Sequence, residues 1–89
     1  MVVFQDIEEV EEWLEPLSYI DLWEAVAPYN VFTIAEREHC DGLISSGKVK
    51  PELILKGLKN VARSGLTARF GLSYRRYETI AKQGQGTLH

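Results

Sequence analysis

The sequence has one cysteine, three prolines and seven glycines among 89 residues, and its aliphatic runs, such as Leu53-Ile54-Leu55, are short. A lone Cys40 excludes an intrachain disulfide, so stability has to come from packing within the chain or against a partner. The same scarcity sets the expectation of a reducing, cytoplasmic location. So few glycines and prolines exclude collagen-like and low-complexity chains. A membrane-spanning helix needs about 20 mostly apolar residues, so no contact with a membrane is expected. The opening MVVFQDIEEVEEW has no basic leader and meets its first acid at Asp6, which sets the expectation that the protein is not exported. Strand signals are equally sparse. Val2-Val3-Phe4 and Val31-Phe32-Thr33 favour extended backbone, but each is too short to build a sheet.

A complete catalytic set is also missing. Gly42-Leu-Ile-Ser-Ser-Gly47-Lys48 fits the spacing of a phosphate-binding loop, yet Val49 stands where a Ser or Thr would hold Mg²⁺, and helical rather than strand periodicity precedes it. A helix stop at Gly47 explains these residues better. Glu36 and His39 form one E-x-x-H pair, whereas a di-iron site needs two such pairs and further glutamates. His39 and Asp41 flank Cys40, but adjacent residues on a helix point apart, so they do not form a nucleophile with its base. The expectation is a protein without enzymatic activity, cofactor or metal.

What is present is charge, unevenly placed. Residues 1–41 hold eleven acids against Arg37 alone, a net −10, and residues 42–89 hold nine bases against Glu52 and Glu78, a net +7. The overall charge of −3 conceals this polarity along the chain.

The periodicity is helical throughout. Ile7, Val10, Trp13 and Leu14 line one side of a first helix, while Glu8, Glu9, Glu11, Glu12 and Glu15 take the other. Asp6 caps that helix and Pro16 ends it. Ser18 caps a second helix carrying Ile20, Leu22, Trp23 and Val26, which stops before Pro28. Thr33-Ile-Ala-Glu36 is a capping box that starts a third, ending at Ser45 or Ser46 with Gly47 as its left-handed stop. Pro51 opens a fourth, with Ile54, Leu55, Leu58, Val61 and Ala62 inward and Glu52, Lys56, Lys59 and Arg63 outward. Gly65 and Gly71 bracket a short helix or turn over residues 66–70, and Ser73 can cap a last helix reaching Ala81 or Lys82. The expected fold is therefore one all-α domain over residues 1–82, four to five short helices in an orthogonal or bundle-like array, with a frayed tail at 83–89.

Two surfaces compete for a function. The first is acidic and aromatic. The first 32 residues hold six of the nine aromatic residues, more than one short helix pair readily hides. Glu8, Glu12 and Glu15 with Trp13, Tyr19 and Trp23 form a candidate surface for a basic protein partner, and the expected role is that of an adapter, regulator or inhibitor. The second surface is basic. Leu66, Gly71, Leu72, Ser73, Tyr77 and Ile80 have the order of apolar, turn and capping residues found in a helix-turn-helix, and this stretch, about a sixth of the chain, resembles the middle of that motif. The resemblance implies a DNA-binding regulator that reads bases with Tyr74, Arg75 and Arg76 and tracks phosphates with Lys56, Lys59 and Arg63. The acidic total makes nucleic acid the second choice. Pairing of the acidic half of one chain with the basic half of another would give a homodimer.

Overall fold

The computed structural model describes residues 2–75. In order along the chain these form α1 (Ile7–Leu14), α2 (Tyr19–Val26), a 3₁₀ turn (Ala27–Tyr29), α3 (Ile34–Ser45) and α4 (Pro51–Phe70). No strand occurs among the described residues, so the fold is all-α. The expected last helix from Ser73, with Arg76, Tyr77 and Ile80, and the tail at 83–89 lie wholly or mainly outside the described residues.

Local chemistry accounts for the helix ends. Asp6 Oδ1 accepts the Glu9 N–H at 2.9 Å, and Ser18 Oγ accepts the Asp21 N–H at 3.3 Å. At Thr33 the capping box is complete, with Thr33 Oγ1 accepting from Glu36 N–H and the Glu36 carboxylate accepting from Thr33 N–H. Such a cap is worth about 1 kcal/mol. Gly47 and Gly71 take positive φ values of 77° and 62°, the left-handed conformation that ends a helix with little strain in glycine. The phosphate-loop-like residues thus begin inside α3 and end at its glycine stop.

α4 departs from the sequence expectation. Instead of breaking near Gly65 it runs unbroken to Phe70, where the Leu72 N–H closes back on the Thr67 carbonyl at 3.0 Å. Gly65 is tolerated because the helix passes close to Val31: a Cβ at residue 65 would lie 3.0 Å from Val31 Cγ1 and 3.2 Å from Val31 Cβ. Val61, expected inward, is half-exposed at 51%.

α4 is the spine on which α1 packs most extensively and α2 next. Leu58, Ala62 and Leu66 of α4 meet Val10 and Leu14 of α1 and Leu22, Trp23 and Val26 of α2 in one apolar core. Phe4, Trp13, Tyr29 and Phe70 form an aromatic cluster at its edge, with ring centroids 5.2 Å apart for Phe4–Trp13 and 5.9 Å for Tyr29–Phe70. Three of the six early aromatics stand in this cluster, and Trp23 is in the core beside it. Backbone ties close the structure: Tyr29 Oη donates to the Val2 carbonyl at 2.7 Å, Arg69 Nη1 to the Tyr29 carbonyl at 2.9 Å, and Ile7 N–H to the Ser73 carbonyl at 3.0 Å.

α3 is different. None of its residues is buried, and Cys40 is its contribution to the layer packed against the core. It lies at the edge of the molecule beside α2.

Candidate protein-interaction surface

The acidic and basic halves of the chain meet along one seam, between α1 and α4. Arg63 Nη1 lies 3.6 Å from Glu11 Oε2, Lys59 Nζ donates to the Glu15 carbonyl at 2.8 Å, and Arg75 Nε donates to Asp6 Oδ2 at 2.9 Å. The Arg75 N–H also donates to the Glu8 carboxylate, at 2.8 Å to Oε2. Arg75, foremost, and then the Glu9 N–H hold the Asp6 carboxyl below its usual pKa. Part of the charge polarity is therefore spent inside the fold.

This seam redistributes the candidate residues. Of the basic set, Lys59, Arg63 and Arg75 engage groups at α1 or its cap, Lys56 is exposed, Tyr74 is half-buried, and Arg76 lies outside the described residues. In the acidic set, Glu8 is half-buried against Arg75, while Glu12 and Glu15 stand exposed. Trp23 is 5% exposed, and Trp13 packs against Phe4 and Tyr29, so both indoles support the surface from beneath. Of the three aromatics, Tyr19 lines the larger open feature and Trp23 the floor of a smaller one.

The larger feature is a groove where α2, α3 and the first turn of α4 meet. It encloses about 670 Å³, with Tyr19, Ile20, Ile44, Pro51 and Leu55 as its apolar wall and Arg37, Asp41 and Glu52 as its charged groups. A second recess of about 200 Å³, also lined by Arg37, lies over Trp23, Phe32 and Ile34. Sequence periodicity missed the pair because it takes shape only when α3 is laid beside α2. Ile20 and Ile34 are left 61% and 79% exposed, a sign of the site that shows only once the helices are packed.

A polar clasp holds α3 in position. Tyr19 Oη donates to Asp41 Oδ1 at 2.6 Å, Arg37 Nε lies 3.8 Å from Asp41 Oδ2, and the Arg37 guanidinium sits 5.9 Å from the centre of a Trp23 ring. Burial first, and then the bond to Asp41, push the Tyr19 phenol up to about 12. Burial, followed by the charges of Asp41 and Glu36, raises the Cys40 thiol, which opposes formation of a reactive thiolate at neutral pH. Glu36 serves the Thr33 cap, and His39 is exposed. The described residues contain no group of three or more side chains suited to hold a metal, and none of their helices is long and apolar enough to cross a membrane.

Compared with known proteins, the chain matches no family model, no curated protein and no solved structure.

Proposed function

We propose that this is a small non-catalytic interaction protein of a reducing compartment, acting as an adapter, regulator or inhibitor by binding a basic protein partner through its acidic N-terminal helices. The observation that carries this reading is the uneven compensation of charge. Lys59, Arg63 and Arg75 close onto the α1 region, whereas Glu12, Asp21, Glu24 and Glu38 are exposed and in no ion pair among the described residues. Arg37, the one base of residues 1–41, is itself paired with Asp41. The remaining field is negative and attracts a positive surface, more strongly at low salt.

The DNA-binding alternative draws on Lys56, Lys59, Arg63, Tyr74, Arg75 and Arg76; of its described cations, Lys59, Arg63 and Arg75 already serve the α1 region, and Lys56 stands exposed. The geometry therefore favours a protein partner. Affinity capture from the native host, with and without nuclease, separates the two readings. We expect nuclease-resistant capture of protein that elutes with salt and is reduced by Glu12→Lys/Glu15→Lys. Capture that disappears with nuclease, or is indifferent to the charge reversal, would contradict the proposal.

A further inference from the structure

We infer that the groove between α2, α3 and α4 is the seat for one amphipathic helix of a partner protein, with an apolar stripe flanked by lysine or arginine. This rests on the reading of the protein as a binder of basic partners and names the site and the form of the ligand.

Three observations converge on that occupant. The groove has an apolar wall on all three helices, and Arg37 lines both it and the neighbouring recess. From Ile34 to Ile44 the α3 side of the two recesses extends ten residues, about 15 Å at 1.5 Å per residue, which suits roughly three turns of a docked helix. Such a helix offers apolar anchors at i, i+3 or i+4, and i+7.

The borders supply the charge selection. Glu24 stands one helical turn on from Ile20, Glu38 one turn on from Ile34, and Glu52 lines the α4 side. All three carboxylates are exposed. Arg37 is the cation within, and its engagement with Asp41 and Trp23 leaves the rim negative. A basic flank on the incoming helix matches Glu24, Glu38 and Glu52, and an acidic flank would meet like charge at these three, although Arg37 and the exposed Lys50 beside Pro51 also lie at this end of the molecule. Nucleic acid fails on the same ground, since its phosphates would face these carboxylates.

The test uses the full-length protein and a fluorescein-labelled peptide of about 16 residues made of leucine and lysine, with leucines at the helical anchor spacing. Its controls are a scrambled peptide and the glutamate-for-lysine analogue. Binding is read by fluorescence anisotropy, with helix content followed by circular dichroism. We expect saturable one-to-one binding that is at least about tenfold weaker for Ile20→Glu and for Glu24→Lys/Glu38→Lys, with neither control binding. All of these substitutions fall on exposed residues; Glu12→Lys/Glu15→Lys, on the α1 surface that a whole partner also meets, lies outside the groove and should leave binding of this short peptide like the parent's. If Ile20→Glu and Glu24→Lys/Glu38→Lys bind like the parent while Glu12→Lys/Glu15→Lys does not, the basic-partner reading survives on α1 and the groove assignment is wrong. If the parent itself does not bind, or the scrambled peptide binds as well, the groove is not a helix seat. Sedimentation addresses the remaining occupant: a parent dimer converted to monomer by Ile20→Glu would place a second copy in the groove and overturn the proposal.

Discussion

The course of α4 past Gly65 fixes the relation of the spine to the Val31 segment, and a pair of glycine substitutions tests it. Gly57 and Gly65 both lie within α4, so each costs about 1 kcal/mol in helix propensity relative to alanine. Their surroundings differ. A Cβ at Gly57 meets no described atom within 4 Å, whereas one at Gly65 falls 3.0 Å from Val31 Cγ1. Gly57→Ala should therefore stabilise by about 1 kcal/mol, raising Tm by about 4–8 °C for a domain of this size. At Gly65 the same gain is opposed by overpacking of about 1–3 kcal/mol, so Gly65→Ala should be neutral or destabilising by up to about 2 kcal/mol. Urea denaturation followed by circular dichroism measures both. Placing Gly65→Ala in a Val31→Ala background removes the Cγ1 methyl but keeps the Cβ of residue 31 at 3.2 Å, so it should recover part of the propensity gain. If Gly65→Ala stabilises as much as Gly57→Ala, the close approach of Val31 is wrong. If the double variant shows no recovery, the cost at Gly65 has another origin.

Other expectations follow from the core, the cap and the clasp. Leu66→Ala, at a fully buried position, should cost about 3–5 kcal/mol, a large part of the total stability of so small a domain, while Ile34→Ala should stay within about 0.5 kcal/mol by urea denaturation. Because the native pKa of Asp6 lies below 3.8, its ion pair stabilises the fold fully above that pH and the contribution fades as pH falls through the lowered native value. Asp6→Asn keeps a capping oxygen but loses the charge, so its stability should fall below the parent's at pH 7 and converge with it at the acid end; parallel curves would contradict the Arg75 pairing. One tyrosine should titrate near pH 12 by its absorbance in the ultraviolet and vanish from the titration in Tyr19→Phe. That variant should cost about 1 kcal/mol and speed amide exchange in α3, since the clasp loses its Asp41 bond.

The boundaries of the first three helices were readable because short-range chemistry sets them: Asp6, Ser18 and Thr33 cap, and Pro16 and Gly47 stop. The continuity of α4 was not. Gly65 reads as punctuation when the chain is taken alone, and only the approach of Val31 from elsewhere shows why a glycine is useful inside a helix. Position 61 shows the same limit, because periodicity gives an apolar side but not its width. At the candidate site, the separation of charge was legible and its partial cancellation was not, since Arg63 and Glu11 are 52 residues apart in sequence and meet through the packing of α4 on α1. Trp13 and Trp23 read as interface anchors by residue type; Trp23 is buried in the core, and Trp13 packs half-buried against it. The groove arises from the placement of α3, a helix held by Tyr19, Arg37 and Asp41 with little apolar burial, so no hydrophobic pattern announced where it would lie.

Isoleucine methyl NMR of the full-length protein, titrated with the leucine–lysine peptide, reports residue by residue on whether a helix occupies the groove. Ile20, Ile34 and Ile44 border the groove and its neighbouring recess, while Ile7 is buried in α1 and Ile54 sits half-buried on α4. Saturable shifts are expected at the first three methyls, with little change at Ile7 and Ile54 and attenuation as salt rises. Shifts centred on Ile7, or none at Ile20 and Ile44 at saturating peptide, would contradict a helix seated in the groove.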